Sequence, residues 1–464
     1  MRREVFSLRE VFEDLDRWSG VSIRSATANA APYDLLDSSV LGGRVGELVD
    51  RSVLLATKDQ FTTALALIEL DGLARRLILY PGDMGPAHIP EVIARAEVDA
   101  VVRDWDAPEF SLDGVESFIP SDTVVRVSNH ARPSQRLLTE WVLLTSATTG
   151  APKPTVHTLH TLTGAISVRS KPLDAVVWST FYDIRRYGGL QIFLRALFDC
   201  ASLVLSSPGE ATADFIQRAA ADGVTHISGT PTQWRRALMS PVVDRLAPRY
   251  VRLSGEIVDQ GILDSLRATF PKATIVHAFA STEAGVAFEV RDGRAGFPVE
   301  MLSSPHEEVE LRIEDGTLRI RSPRTALRYL GGERLALRDG FIDTRDLVEL
   351  RDERYYFVGR LDGVINVGGA KVYPEEVEAV LNRHPRVRMS LVKARKNQIT
   401  GAIVVADVVA EPAPEGSSGG ERVLSSELIE WCQRSLAPYK VPALIRLVPQ
   451  LEMSTAGKVA RTGG

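Results

Sequence analysis

Between Leu143 and Thr155 the chain reads LLTSATTGAPKPT, an apolar run that opens into hydroxyls, a glycine and a lysine. Thr145, Ser146, Thr148 and Thr149 supply hydroxyl donors, Gly150 lets the backbone approach closely, and Lys153 adds a compact positive charge. That chemistry suits a polyphosphate. Clusters of Ser, Thr and Gly are also ordinary solvated turns, so the loop by itself leaves both readings open. It is not the GxxxxGK[ST] nucleotide loop, and no GxGxxG occurs in the chain. Further chemistry-bearing stretches follow: FASTEAG from Phe279, DGFIDTRDL from Asp339, GRLDGVINVGGAKVYPEEVE from Gly359, and STAGKVAR around Lys458.

These residues need elements to hold them. Apolar runs bounded by polar residues alternate with helically spaced segments: RSVLLATKD before QFTTALALIELDGLARR, RRLILYPGD before HIPEVIARAEVD, ASLVLSSPG before ATADFIQRAAADG. The same grammar continues in GVTHISGTP before TQWRRALMS, and in DQGILDSLRATF before TIVHAFAST. The expected fold is α/β, with mainly parallel sheets flanked by helices, whose ligands bind where strands end. From about Glu308 the pattern turns to short strands and hairpin signals (EDG, RDG), a β-rich subdomain. A boundary near 359–363 divides a large domain, 1–360, from a small α+β domain, 361–464, where Pro374, Glu375 and Glu376 suit the first turn of a helix. EPAPEGSSGGE reads as a flexible surface loop.

The composition sets bounds. The 464 residues are 44% hydrophobic with a net charge of −5, enough for a large core and without the basic stripe of a nucleic-acid partner. The first residues, MRREVFSLREVFEDLDRW, lack the apolar core of a signal peptide, and no apolar run reaches the roughly 18 residues of a membrane span. Cys200 and Cys432 are too few for a disulfide framework or a four-ligand zinc site; a cytoplasmic location is expected.

Taken together, the motifs resemble the adenylate-forming superfamily of acyl-CoA synthetases, adenylation domains and firefly-type luciferases, and are closest in style to acyl-CoA synthetases. TSATTGAPK is similar to the family loop TSGTTGxPK, departing at Ala147; FASTEAG to YGxTE, departing at Phe279 and Ala280; TRD to TGD, departing at Arg345; and GRLDGVINVGG to GRxDxxIKxxG, departing at Asn366. The resemblance implies activation of a carboxylic acid by MgATP to an acyl-adenylate, then acyl transfer to a thiol. Lys458 would meet the carboxylate and α-phosphate, Thr282 the α-phosphate, and Glu283 the Mg²⁺. Phe279 would stack on adenine, Asp346 would bind the ribose hydroxyls with Arg360 nearby, and Gly255 and Glu256 would lie along the adenine and acyl boundary. Asp362 takes the hinge position, and the Gly368-Gly369 turn would flank the thiol's entry path. A core phenylalanine, an exposed arginine and a plain β-turn are the structural readings of Phe279, Arg360 and the glycine pair.

For the acyl pocket, Trp178, Phe181, Tyr187, Gly188 and Gly189 are the candidates, with core packing the alternative for each aromatic. Arg185 or Arg186 stands where CoA ligases of this style often carry histidine. Tyr187 stands where amino-acid-activating domains carry aspartate, with Asp183 one turn earlier, so an α-amino acid is disfavoured. The acceptor is expected to be coenzyme A, with the phosphopantetheine of an acyl or peptidyl carrier protein as the alternative. A luciferase-like oxygenase and a degenerate nucleotide-binding protein rank below these.

Overall fold

The computed structural model describes residues 7–11, 21–26, 38–104, 114–120, 125–126, 137–145, 152–167, 175–207, 209–303, 308–331, 335, 337–397, 400–411 and 420–451. Two large sheets carry the strand–helix alternation. In the first, Glu116–Phe118, Ala100–Arg103, Ser52–Ala56, Arg76–Leu79 and Glu140–Thr145 run parallel, and Lys153–His157 then Arg328–Tyr329 are added antiparallel at one side. In the second, Ile23–Arg24, Ser202–Leu205, Val177–Thr180, His226–Gly229, Tyr250–Ser254 and Thr274–Ser281 are parallel, and Gly285–Val290 turns back antiparallel. The strands read as continuous apolar runs because both faces are covered; Ser52–Ala56 and Arg76–Leu79 are buried at every residue.

Some helices start at a side-chain cap. Asp59 accepts from the Thr62 N–H at the head of Gln60–Leu70, and Thr230 and Gln233 cap each other's backbone before Pro231–Leu238, each such cap being worth ~1 kcal/mol. Gln60–Leu70 stops short of the expected DGLARR extension. Asp71 ends it, and its carboxylate is occupied by the Leu8 N–H at 2.7 Å and the Trp141 indole N–H at 2.8 Å. The largest core is shared between the sheets through two helices, Gln60–Leu70 and Tyr187–Phe198, which contribute Leu67, Leu70, Leu190 and Phe193 among others.

After residue 296 an antiparallel sheet follows, in the order Phe297–Pro298, Arg354–Arg360, Phe341–Arg351, Thr317–Arg321, Glu310–Glu314. Asp315-Gly316 makes the tight turn that EDG announced, both residues having positive φ (53° and 75°). Beyond the short turn Leu361–Gly363, a separate apolar cluster runs from Ile365 to Ile445. It is built on the strands Val387–Asn397, Gly401–Ala410 and Leu444–Leu447 and on the helices Pro374–Leu381 and Gly420–Gln433. The second of these helices was not anticipated: it begins at Gly420, inside the GSSGGE stretch expected to be loop, of which residues 416–419 lie outside the described residues. Among the described residues no helix is long and apolar enough to cross a membrane.

Candidate active site

The hairpin that brackets the hydroxyl-rich loop is in register, Thr145 opposite Lys153, with the Thr145 hydroxyl 3.3 Å from the Lys153 carbonyl. Ser146, Ala147, Thr148, Thr149 and Gly150 lie outside the described residues, as does Lys458. The strand that starts at Lys153 ends at His157, a residue the sequence reading overlooked. Its Nε2 donates to the Thr282 carbonyl at 2.7 Å, and its Nδ1 lies 2.9 Å from the Thr161 hydroxyl. Burial lowers the His157 pKa to about 4, against the raising effect of the bond to Thr282. The ring is therefore neutral, and its one N–H is spent on the turn that carries Thr282 and Glu283.

That turn, Thr282–Ala284, joins the antiparallel pair Thr274–Ser281 and Gly285–Val290. Its second anchor is the bond from the Ala326 N–H to the Glu283 carbonyl, 2.9 Å. Gly285 must be glycine: its φ is 76°, and a Cβ would stand 2.6 Å from the Arg324 carbonyl. Tyr329 links the turn to the loop. Lys153 Nζ lies 5.6 Å from the Tyr329 ring centre, and the Tyr329 hydroxyl reaches Glu283 Oε1 at 3.4 Å. A cation and a carboxylate thus converge on one side chain at the mouth of the loop. Mg²⁺ that arrives with a nucleotide keeps most of its ligands as phosphate and water, so the single half-buried carboxylate of Glu283 fits such an ion.

On the neighbouring strand end, Gly255 is exposed and bends the chain after Ser254, and the Glu256 carboxylate accepts from the Thr232 N–H at 2.9 Å. Phe279 is half-buried within an aromatic stack, 5.7 Å from Phe288 and 5.2 Å from Phe357. Asp346 and Arg360 face each other in register, Arg360 Nη1 donating to Asp346 Oδ1 at 3.1 Å. Arg345 has φ 60°, the left-handed backbone for which glycine is the usual choice, so the departure from TGD keeps the glycine conformation. Its guanidinium pairs with both oxygens of Asp362, Nε to Oδ2 being 2.8 Å. Gly368 and Gly369 form the two-residue turn of a hairpin with φ 57° and 88°. Positive φ alone accounts for glycine there, since a Cβ at Gly369 would meet nothing within 4 Å.

The acyl-pocket candidates divide. Tyr187, Gly188 and Gly189 open the helix Tyr187–Phe198, with Gly188 against the Tyr182 ring and Gly189 against the Asp183 backbone. Phe181 stands at the end of its strand, edge-on to Phe215 and Trp234. Trp178 does not join them. It lies at the start of the same strand, ~10 Å back by strand rise, packed against His226 and Tyr250, its indole N–H on Asp199 at 3.2 Å. This corrects its assignment: ligands meet parallel strands at their C-terminal ends, and Trp178 is at the other. Tyr182, also overlooked, is buried and donates to the Ser254 carbonyl at 2.6 Å. Asp183 is engaged by Arg185, accepting from its backbone N–H and its Nε at 2.8 Å each. Arg185 also donates to the Thr57 carbonyl, and Arg186 pairs with Asp83 at 2.8 Å.

Known proteins share this architecture. The AMP-binding enzyme family matches residues 89–330, and the AMP-binding enzyme C-terminal domain matches 376–458. A 4-hydroxybutyrate–CoA ligase of Metallosphaera sedula is 25% identical over 413 residues, covering 82% of this chain and 71% of that protein. A 3,4-dihydroxybenzoate–[aryl-carrier protein] ligase of Bacillus anthracis is 35% identical over 125 residues, 27% of this chain and 28% of that one. The structure of a benzoate CoA ligase from Burkholderia xenovorans superposes with a TM-score of 0.77 at 20% identity, over 97% of both chains. With the phosphate-type loop, the Thr-Glu turn and the separate C-terminal cluster in the same order, the chain belongs to the AMP-binding enzyme family, the adenylate-forming superfamily.

Proposed function

We propose that the protein joins a carboxylic acid to a thiol in two steps: ATP and the acid give acyl-adenylate and pyrophosphate, and the thiol then displaces AMP. Coenzyme A is the acceptor this reading favours. The observation that carries it is the meeting of Lys153 and Glu283 on Tyr329 beside the Thr145 hairpin. In the first step a carboxylate oxygen attacks the α-phosphorus and pyrophosphate leaves. Lys153 and the loop hydroxyls hold the β- and γ-phosphates, Glu283 gives one oxygen to the accompanying Mg²⁺, and Thr282 faces the α-phosphate. Asp346 takes the ribose hydroxyls, Arg360 keeps that carboxylate oriented, and Lys458 neutralises charge between carboxylate and phosphate. Ser254-Gly255-Glu256 and Phe279 border the adenine. The acyl group points toward Tyr187, Gly188, Gly189 and Phe181.

The 361–464 unit moves as a domain about a hinge at 359–363, with Asp362 as its pivot. Its separate apolar cluster and the short Leu361–Gly363 connection support this. The Gly368-Gly369 turn then borders the thiol's path. Two buried free cysteines, Cys200 and Cys432, support a cytoplasmic site of action. Loading of a carrier protein is the second reading, favoured by the 35% match to an aryl-carrier ligase.

Pyrophosphate exchange across a panel of carboxylic acids tests the first step. Exchange with at least one acid is expected; its absence in folded protein that binds ATP would overturn the reading. Coenzyme A and a holo carrier protein, supplied separately, then decide the acceptor.

A further inference from the structure

Tyr187 reaches the turn that carries Thr282 and Glu283 by two separate routes. It opens the helix Tyr187–Phe198 and is buried there. Its ring centre lies 5.7 Å from that of His157 with the planes tilted by 42°, within the usual range for paired rings. His157 in turn donates to the Thr282 carbonyl at 2.7 Å, on the near flank of the turn. The Tyr187 hydroxyl is tied to the Val286 backbone, one residue past Gly285 and so on the far flank. A single side chain from the acyl side thus meets both ends of the turn.

The same helix holds His157 a second way. Gln191, one helical turn after Tyr187 on the same face, donates through Nε2 to the Leu162 carbonyl at 2.8 Å. Leu162 belongs to the short helix Leu159–Thr163, whose Thr161 hydroxyl lies 2.9 Å from His157 Nδ1. Beyond the turn, Arg324 Nη1 donates to the Val286 carbonyl at 2.9 Å. Every link in this chain is a direct contact between buried or half-buried groups, so a shift of the Tyr187 ring is felt at Thr282.

We infer that Tyr187 is a positioning residue through which the acid and MgATP strengthen each other's binding. An acid seated against the ring fixes His157 and the turn, and MgATP held by the turn fixes the ring. The inference rests on the carboxylate-activation reading above and adds an energetic link between the two substrates of its first step. The ligand that binds first bears the cost of ordering the ring, His157 and the turn, and the second finds them ordered. The link is reciprocal: the factor by which the acid tightens the nucleotide equals the factor by which the nucleotide tightens the acid.

Calorimetric titration with Mg²⁺ and α,β-methylene-ATP, which releases no pyrophosphate, measures the link without turnover. The acid used is the member of the exchange panel that reacts fastest. Saturating acid is expected to tighten the nucleotide Kd about tenfold, and saturating nucleotide to tighten the acid Kd equally. Tyr187→Phe keeps the ring and removes the tie to Val286; His157→Phe keeps a ring beside Tyr187 and removes the bond to Thr282. Each cuts one route, so the factor is expected to fall to about threefold in either and to about one in the double variant. His157→Phe serves should Tyr187→Phe fail to fold. A wild-type factor of one would overturn the coupling and leave the ligase reading standing. So would variants that weaken both ligands but keep the wild-type factor, which would mark a purely structural role. No exchange with any acid, in protein that binds ATP, would overturn the ligase reading and the coupling with it.

Discussion

Arg345 holds Asp362 through both carboxylate oxygens, across the point where the large sheets give way to the C-terminal cluster. The hydrogen bond from Arg345, against a smaller effect of burial, keeps the Asp362 carboxyl below the ordinary aspartate range. Both side chains are about half exposed, so the pair contributes less than about 1 kcal/mol to stability. Its contribution is complete above the pKa of an unfolded aspartate and is lost as pH falls through the lowered folded value. Arg345→Gly, which suits the left-handed backbone, is expected to leave the melting temperature within a few degrees while changing the ratio of thioester formation to pyrophosphate exchange. An unchanged ratio over a range of salt concentrations would show that the pair does not bias the hinge.

His157 gives a pH signature. Its folded pKa of about 4 lies below the unfolded value of 6.5, so the unfolded chain binds the extra proton between them. Stability therefore rises with pH from about 4 to 6.5 and is flat above. His226, lowered to about 4 by burial and then by Arg249, adds to the same slope. His157→Phe is expected to reduce that slope and to lower kcat/KM for exchange about tenfold, because the Thr282 carbonyl loses its donor. Denaturant melts across this pH range, compared with wild type, check the first effect and exchange kinetics the second.

Lys458→Ala is expected to lower adenylation by about 10²–10³-fold, the scale of removing one group that neutralises developing charge. Thiolation of supplied acyl-adenylate should stay within a few-fold of wild type. Equal loss in both half-reactions would refute that division.

The Gly368-Gly369 turn separates two reasons for glycine. With φ 88° and open space around its Cβ position, Gly369 accepts Asn, which tolerates the left-handed region, whereas Ala or Val is expected to cost ~1–2 kcal/mol. If the turn matters only as a turn, Gly369→Asn keeps thioester formation. Loss of that step with adenylation and melting temperature intact would identify the turn as part of the thiol's path.

Glu283 and Tyr329 can be tested as a pair. Glu283→Gln removes the anionic oxygen and should raise the Mg²⁺ concentration needed for half-maximal exchange tenfold or more, whereas Tyr329→Phe, which keeps the ring beside Lys153, should change it less than threefold. Mg²⁺ titrations that place both variants on the wild-type curve would remove Glu283 from the metal's shell.

Much of this was legible before any coordinates. The strand–helix alternation survives because the central parallel strands are buried on both faces and read as unbroken apolar runs, as in Ser52–Ala56. Asp315-Gly316 and Gly368-Gly369 identified their hairpins because turn chemistry is local. What escaped was long-range. Nothing near His157 in the sequence points to a carbonyl 125 residues away, and nothing near Tyr182 points to Ser254. Trp178 and Phe181 are equally aromatic, and composition does not say which end of a strand a ring occupies. Arg345 looked like the loss of a glycine, although the backbone there remains glycine-like. The engagement of the Asp183 carboxylate depended on Arg185, two residues on, folding its guanidinium back onto it.

The strand Lys153–His157 has a consequence for how this protein can vary. One end touches the proposed phosphate grip and the other holds the Thr282 carbonyl, and alternation puts residues 153, 155 and 157 on a common face. It is a spacer of fixed length, ~13 Å from end to end. Side chains along it can be exchanged at modest cost, but adding or deleting one residue would turn the lysine or the histidine to the opposite face. The two halves of the site are therefore calibrated by residue count, and insertions tolerated elsewhere in the chain have no place between Lys153 and His157.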